Sequence, residues 1–292
     1  MCDRDDIDAM IDAAQRREAF SRRHFGAWAL GAGLVTALPR LADAMEVVDT
    51  DLDIKTPDGT ADSYFVHPAK GVHPGVLIWT DIMGLRPAFK MMGKRLAESG
   101  YSVLVPNPFY RQKRAPIMPP GASMADPDTR QALMGFMGAL TPATNVTDAK
   151  AFVAFLDAQP SVSKKRKLGT TGYCMGGPIT FRTAATFPDR IGAAATFHGA
   201  NLVNDTPDSP HLLIPKLKAQ FLIAIAASDD MKDPQAKAVL REAFDKAKLP
   251  AEIEVYAGTQ HGWCPPDSNV YNEAQAEKAW NRLLALLRKA LA

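Results

Sequence analysis

Short apolar segments alternate with amphipathic segments along most of this 292-residue chain. The apolar segments carry strand patterns, whereas the amphipathic ones have the three-to-four-residue spacing of helices. Strands separated by helices predict parallel β-α-β units, and therefore an α/β fold with a doubly wound, mostly parallel sheet and helices on both faces. The predicted strands are residues 46–56, 60–68, 75–81, 101–106, 167–173, 191–199, 219–227 and 251–258.

The helical segments lie between these strands and after the last one. They are predicted at residues 88–100, at two positions within 129–159, and at 178–187, 233–248 and 272–291. The proline-rich stretch 107–128 reads as a long loop. Because the sequence shows neither an internal repeat nor a clear linker, residues 45–292 are predicted to form a single α/β domain.

The composition is that of an ordinary globular protein, with 47% hydrophobic residues, 23% charged residues and a formal net charge of +2. So small a charge predicts no basic face, and it argues against nucleic acid as a partner. The three cysteines, Cys2, Cys174 and Cys264, are too few for a disulfide framework. There is no zinc-type pair of Cys-x-x-Cys motifs, and we predict no metal site.

Residues 1–44 have the composition of an export signal. Arg22 and Arg23 precede an apolar run of about a dozen residues from Ala27 to Leu38, and small residues follow at 42–44. This order predicts a removable signal of the twin-arginine type, with the export machinery as a partner and a periplasmic or secreted product. The run falls short of the ~20 residues that span a bilayer, so no stable membrane insertion is expected after removal. The alternative is an amphipathic N-terminal helix on a cytoplasmic protein.

Cys174 occupies the centre of a Gly-x-Cys-x-Gly turn between a predicted strand and a predicted helix. Such a turn is typical of the nucleophile elbow of α/β-hydrolases, where small flanking residues permit a strained backbone. The thiol would stand above the sheet near a helix N-terminus, which favours the thiolate. The Met175 backbone N–H would then be one oxyanion donor. The alternative is a buried structural cysteine beside a glycine turn.

Candidate partners of Cys174 follow other predicted strands. His261 comes after the last strand and is placed to act as a base, whereas Asp229 or Asp230, after strand 219–227, could orient its imidazole. A surface-loop histidine and a helix N-cap are the alternatives for these two positions. The chain order Cys, Asp, His is the order found in α/β-hydrolases.

Two further groups follow predicted strands. Asp81 ends strand 75–81, and the Ile82 N–H would lie near the second oxyanion position. If Asp81 faces Cys174, its charge opposes thiolate formation and would modulate the nucleophile; a turn or cap residue is the alternative. His198 ends strand 191–199, where it could line the pocket or serve packing.

These motifs together resemble the dienelactone hydrolase, or carboxymethylenebutenolidase, family over roughly residues 51–291. The resemblance is carried by "WTDIMG", "VPNPFYRQ", "GYCMGG", "SDD" and "HGW". It implies a single α/β-hydrolase domain without a cofactor. It also implies a triad of Cys174 as nucleophile, His261 as base and Asp229 as orienter, with Asp230 as the substitute.

The sequence departs from the family pattern at two places. Asp81 stands where the family usually has glutamate, and Pro265 stands where one of two substrate-binding arginines is expected. Arg111 matches the other arginine. The resemblance therefore implies a small ester or lactone as substrate, with one arginine to accept an anionic group.

The predicted reaction is acyl transfer through Cys174, which yields an acyl-enzyme that water hydrolyses. Two other classes remain open from the sequence. One is a thiol, disulfide or metal-binding protein that uses Cys174, His261 and Cys264. The other is an inactive binding protein that retains the hydrolase fold.

Overall fold

The computed structural model describes residues 44–119 and 121–292. The predicted export signal lies outside the described residues, apart from Ala44. Within the described ranges, no helix is both long enough and apolar enough to cross a membrane.

Within residues 44–119 and 121–292, eight strands form one sheet in the order β1-β2-β4-β3-β5-β6-β7-β8. Their bounds are β1 Val47–Thr56, β2 Gly59–Pro68, β3 Gly75–Trp79, β4 Ser102–Pro106, β5 Leu168–Tyr173, β6 Ile191–Phe197, β7 Gln220–Ala226 and β8 Ala251–Tyr256. The β1–β2 and β2–β4 pairs are antiparallel, and every other neighbouring pair is parallel. This arrangement confirms the predicted mostly parallel sheet.

Strand β3 lies between β4 and β5, so the chain crosses to opposite sides of β3 in its two following connections. Such a reversal of strand order opens a crevice at the carboxyl ends of the parallel strands. Asp81 follows β3 and Cys174 follows β5, so both lie at this crevice.

Seven α-helices and one 3₁₀ helix lie in the described part of the chain. They are α1 Pro87–Glu98, α2 Pro127–Met137, α3 Pro142–Ala158, α4 Gly176–Thr186, α5 Ala227–Lys232, α6 Ala236–Ala247 and α7 Glu273–Ala290, with the 3₁₀ helix at Pro210–Lys216. Proline at the first helical position and a side-chain cap begin both α2, at Asp126, and α3, at Thr141.

Alternating residues of the central strands pack against different helical layers. Val76 and Ile78 of β3 join a core with α1 and α7, whereas Leu77 and Trp79 join a core with α3, α4 and α6. Because side chains of a strand alternate in direction, a strand that is apolar throughout must be covered on both faces. The helices therefore cover both faces of the sheet, as predicted.

A third apolar cluster lies apart from these two cores. The segment between β4 and α3, which we call the cap (residues 107–141), includes α2 and supplies most of this cluster. Its buried members are Ile82, Phe109, Ile117, Met124, Leu133, Met137, Cys174, Met175 and Ala200. The cap thus packs against the turn that carries Cys174.

Candidate active site

Cys174 lies in the turn between β5 and α4 and has a positive φ of 52°. Its N–H donates to the Phe197 carbonyl at 3.1 Å, and its carbonyl accepts from Gly177 and Ala200. The left-handed region is unfavourable for any residue with a Cβ, and it persists only where surrounding contacts enforce it. Here those contacts join the turn to the end of β6.

The flanking glycines are required by close backbone approach. A Cβ on Gly172 would lie 2.0 Å from the Gly176 carbonyl oxygen, and one on Gly176 would lie 2.6 Å from the Trp79 carbonyl oxygen. A Cβ on Gly177 would lie 2.7 Å from the Gly199 Cα. Real Cβ atoms essentially never approach this closely, so the Gly-x-Cys-x-Gly pattern is a steric requirement of the turn.

His261 and Asp229 meet at the carboxyl ends of β8 and β7. The His261 Nδ1 lies 2.9 Å from the Asp229 Oδ2, and only 1% of the His261 side chain is exposed. A carboxylate on Nδ1 sets the ring's tautomer and orientation, and it leaves Nε2 as the nitrogen that exchanges protons with a reacting group.

Hydrogen bonds from backbone N–H groups to side-chain hydroxyl groups hold the two loops together. The His261 N–H donates to the Ser228 Oγ at 2.9 Å, and the Ala227 N–H donates to the Thr259 Oγ1 at 3.0 Å. Ser228 was not predicted as a site residue. Its position directly before the two aspartates is the only signal that the sequence offers.

Asp230 points elsewhere. Both of its carboxylate oxygens accept from the Lys237 ammonium, at 2.5 and 2.7 Å, which ties α5 to α6. Of the two acids that the sequence left open, the structure therefore brings Asp229, and not Asp230, to His261.

His198 lies between the two halves of the site. Its ring centroid is 5.1 Å from that of His261 and 6.1 Å from that of Tyr173, the residue before Cys174. His198 is fully buried, and neither ring nitrogen has a hydrogen-bond partner among the described residues. Burial, with a smaller contribution from His261, holds the pKa of His198 well below its ordinary value of 6.5.

His198 is therefore expected to destabilise the protein in acid. The unfolded chain takes up a proton near pH 6.5, whereas the folded protein does so only at a much lower pH. Above pH 6.5 His198 is neutral in both states and costs the folded protein no stability. As the pH falls below 6.5, only the unfolded chain gains the proton, and the folded protein loses stability. Relative to His198→Asn, the wild-type free energy of unfolding should decrease by up to about 1.4 kcal/mol per pH unit below that point. Denaturant unfolding of both proteins between pH 7.5 and 4.5 measures this; a pH-independent difference would contradict it.

Asp81 is buried, and its carboxylate accepts hydrogen bonds from residues of the loop that follows β3. Its Oδ1 and Oδ2 accept from Arg86 at 2.6 and 2.9 Å, and the Met83 N–H donates to Oδ1 at 2.9 Å. The predicted influence of Asp81 on the nucleophile stays a prediction. The predicted oxyanion donors, Ile82 and Met175, share the apolar cap cluster with Cys174.

Arg111 is held by two carboxylates. Its guanidinium donates to both oxygens of the buried Asp148 at 2.7 and 2.8 Å, and to Asp58 at 2.6 and 3.0 Å. It also lies 4.7 Å from the Tyr110 ring. These contacts tie the cap to β1–β2 and α3, so the predicted role of Arg111 in substrate binding gains no support from them.

A different arginine, Arg86, lies at the crevice and was not predicted. It bridges Asp81 to Asp267, whose oxygens accept at 2.6 and 3.0 Å. Burial alone disfavours its charge, but the two carboxylates outweigh burial and raise the pKa of Arg86. The sequence distance of 181 residues between Arg86 and Asp267 left no local signal for this bridge.

Cys264 belongs to a different part of the protein. It is packed in the core with α1 and α7, whereas Cys174 is in the cap cluster, and no disulfide joins the two. Burial raises the pKa of the Cys264 thiol well above its ordinary value. In residues 44–119 and 121–292, no group of three or more His, Cys, Asp or Glu side chains is arranged to hold a metal ion.

A cleft of about 490 Å³ is lined by residues that adjoin two of the predicted site residues, Asp81 before Ile82 and Gly262 after His261. Its walls come from the loop after β3, from the cap and from the loop after β8, including Gly262, the neighbour of His261. Met83, Met118 and Met124 line the cleft and also belong to or pack against the cap cluster that contains Cys174. We call this space the Arg86 cleft.

The strand order, the turn after β5 and the acid–histidine pair after β7 and β8 define an α/β-hydrolase. Solved structures of that class share the fold. A dienelactone hydrolase homologue from Klebsiella pneumoniae has a TM-score of 0.72 at 22% identity, covering 84% of this chain and 99% of its own. A dienelactone hydrolase-like promiscuous phosphotriesterase from metagenomic libraries has a TM-score of 0.68 at 19% identity with the same coverage.

Sequence comparison gives the family. The model of the dienelactone hydrolase family matches residues 61–291, and the chain therefore belongs to that family. A carboxymethylenebutenolidase homologue from Methylorubrum extorquens is 27% identical over 95% of this chain and 96% of its own. The carboxymethylenebutenolidase of Rhodococcus opacus is 25% identical over 81% of this chain and 90% of its own. The protein is thus a hydrolase of the lactone and ester class.

Proposed function

We propose that this hydrolase cleaves small esters or lactones by acyl transfer to the Cys174 sulfur. The observation that carries the proposal is the 2.9 Å bond from Asp229 to the His261 Nδ1, at the same sheet edge as the strained Cys174 turn. That bond leaves Nε2 for proton transfer. A strained, glycine-flanked turn is unnecessary for a structural cysteine, and it is what a nucleophile elbow requires.

The proposed reaction has two halves. In the first, His261 takes the thiol proton as the sulfur attacks the carbonyl carbon, and it gives this proton to the departing alkoxide. In the second, His261 takes a proton from water, which attacks the thioester, and the proton then returns to the sulfur. In both halves the backbone N–H groups of Met175 and Ile82 stabilise the carbonyl oxygen as it becomes an oxyanion. A lactone ring opens in the first half, and its alcohol stays attached to the acyl group.

The test combines steady-state assays of substrate hydrolysis with detection of the acyl-enzyme by mass spectrometry. Purified protein is assayed with short-chain p-nitrophenyl esters, simple lactones and a neutral aryl phosphotriester, the last because one structural neighbour is described as a phosphotriesterase. We expect ester turnover with a burst of p-nitrophenol, and intact mass spectrometry should show the acyl mass on the peptide that contains Cys174. Turnover of no substrate by folded protein, or acylation elsewhere, would refute the mechanism.

We further propose that residues 1–44 direct export through the twin-arginine route. The support is the order of Arg22 and Arg23, the apolar run and the small residues that follow. Replacement of both arginines with lysine should retain the protein inside the cell, as measured by fractionation of the bacterial host. Unchanged export of this variant would refute the proposal.

A further inference from the structure

The Arg86 cleft carries few charges. Among the described residues that line it, only Asp81, Arg86 and Asp267 are charged, which gives these residues a formal charge of −1. The rest of the wall is mainly methionine, proline, alanine and glycine, with a few neutral polar side chains. A single negative excess in a partly desolvated space disfavours a second negative charge more strongly than it would in water.

Arg86 is the one cation of the cleft, and all of its hydrogen-bonding capacity is occupied. A guanidinium has five N–H groups. Asp81 accepts two of them, Asp267 accepts two, and the Gly84 carbonyl accepts the fifth at 3.3 Å. A substrate carboxylate could therefore bind Arg86 only by displacing one of the aspartates.

The two aspartates differ in how firmly they are held. The Asp81 side chain is 11% exposed and also accepts from the Met83 N–H, whereas the Asp267 side chain is 35% exposed. Displacement of Asp267 would replace one carboxylate with another on the same arginine, so it offers no net gain. It would also leave the displaced aspartate at the mouth of the cleft, where it repels the incoming anion.

On this basis, and resting on the esterase function proposed above, we propose that the Arg86 cleft holds the substrate next to Cys174, that it selects uncharged substrates and that Asp267 is the residue that excludes anionic ones. The substrate class is a neutral ester or lactone with an apolar acyl group. The thioethers of Met83, Met118 and Met124 provide a polarizable apolar wall for that group. Asp267 acts by occupying Arg86, without a part in bond making.

A matched pair of esters tests the charge selection. p-Nitrophenyl hexanoate and mono-p-nitrophenyl adipate have the same chain, except that a carboxylate replaces the terminal methyl group. For the wild type we expect kcat/KM to be at least about tenfold higher for the hexanoate, as one unfavourable charge interaction across the cleft implies. In Asp267→Asn, the ratio of kcat/KM for the adipate to kcat/KM for the hexanoate should rise about tenfold.

Asp58→Asn is the control variant. Asp58, like Asp267, is a partly exposed carboxylate that shares an arginine with a more buried aspartate, but its arginine is Arg111, away from the cleft. Both substitutions remove one negative charge, and both leave an arginine with one carboxylate partner instead of two. The selectivity ratio should change only in Asp267→Asn. An equal change in both variants would refute the assignment to Asp267 and indicate a general charge effect.

Alkylation of Cys174 separates this inference from the proposed function. Iodoacetamide and iodoacetate are a neutral and an anionic reagent of nearly equal size, and peptide mass spectrometry reports the modification at Cys174 alone. The ratio of their rate constants, normalised to that of glutathione, should favour iodoacetamide in the wild type and decrease in Asp267→Asn. If ester turnover is absent, the proposed esterase function is refuted, but the ratio of alkylation rate constants still tests whether the cleft excludes anions. A ratio equal to that of glutathione, or adipate turnover that matches hexanoate turnover, would overturn the inference.

Discussion

Cys174→Ala is expected to lower kcat/KM for ester hydrolysis by about 10⁴-fold or more, because it removes the atom that we propose forms the acyl-enzyme. His261, Asp229 and the proposed oxyanion donors would remain, so some binding and electrostatic stabilisation should persist. Initial rates with p-nitrophenyl esters measure the effect. Intact mass spectrometry of the variant should show no acyl adduct.

Cys264→Ala is the matched control for this loss. It removes the other cysteine of the described residues, which lies in the core with α1 and α7. Its kcat/KM is expected to stay within about threefold of the wild type while its stability decreases, as for other buried large-to-small changes. If Cys264→Ala loses activity to the same extent as Cys174→Ala, the nucleophile has been assigned wrongly.

Strain at the turn gives a second signature of the nucleophile. Because Cys174 has a φ of 52°, glycine at this position should relieve ~1 kcal/mol of backbone strain. Cys174→Gly is therefore expected to be inactive yet nearly as stable as the wild type, because the relief offsets the packing lost with a small side chain. Thermal unfolding of the two proteins would check this pairing.

Asp229→Asn is expected to lower kcat by about 10² to 10⁴-fold with little change in KM. The 2.9 Å contact to the His261 Nδ1 sets the tautomer of the ring, and an amide at this position stabilises neither the correct tautomer nor the imidazolium. Steady-state kinetics across pH 5 to 9 measures the loss.

Asp230→Asn is the adjacent control and carries the same change of charge. It breaks only the partly exposed contact with Lys237, which is worth roughly 0 to 1 kcal/mol. Its kcat should stay within about twofold of the wild type. Equal losses in the two variants would mean that the acids act through the charge of the loop and not through the bond to His261.

Prediction from the sequence succeeded where local pattern determines structure. An apolar strand such as β3 is stable only when both of its faces are buried. The alternation of such strands with amphipathic helices therefore predicted the sheet and its two helical layers. The short helix α5 and the 3₁₀ helix at Pro210–Lys216 were missed. Segments of six or seven residues show too little periodicity to be recognised.

The arginines show where pattern was insufficient. Arg111 was predicted to bind substrate because of its neighbours in sequence; in the fold its guanidinium donates to Asp148 and Asp58, and its role in substrate binding stays a prediction. Arg86 had no local signal, because its partner Asp267 comes from the loop after β8. Which carboxylate an arginine meets depends on loops from distant segments, and these are brought together only by the completed sheet.

The amino-acid sequence alone determined the α/β architecture, the glycine-flanked turn of Cys174 and the positions of the acid and histidine after separate strands. Each of these follows from the conformational preferences and burial of residues that are close in the chain. Only the tertiary structure decided that Asp229 and not Asp230 meets His261. It also decided that the cap packs against Cys174 and that Arg86 donates its hydrogen bonds to two aspartates. These outcomes depend on distances between segments up to 181 residues apart, which local preference does not encode.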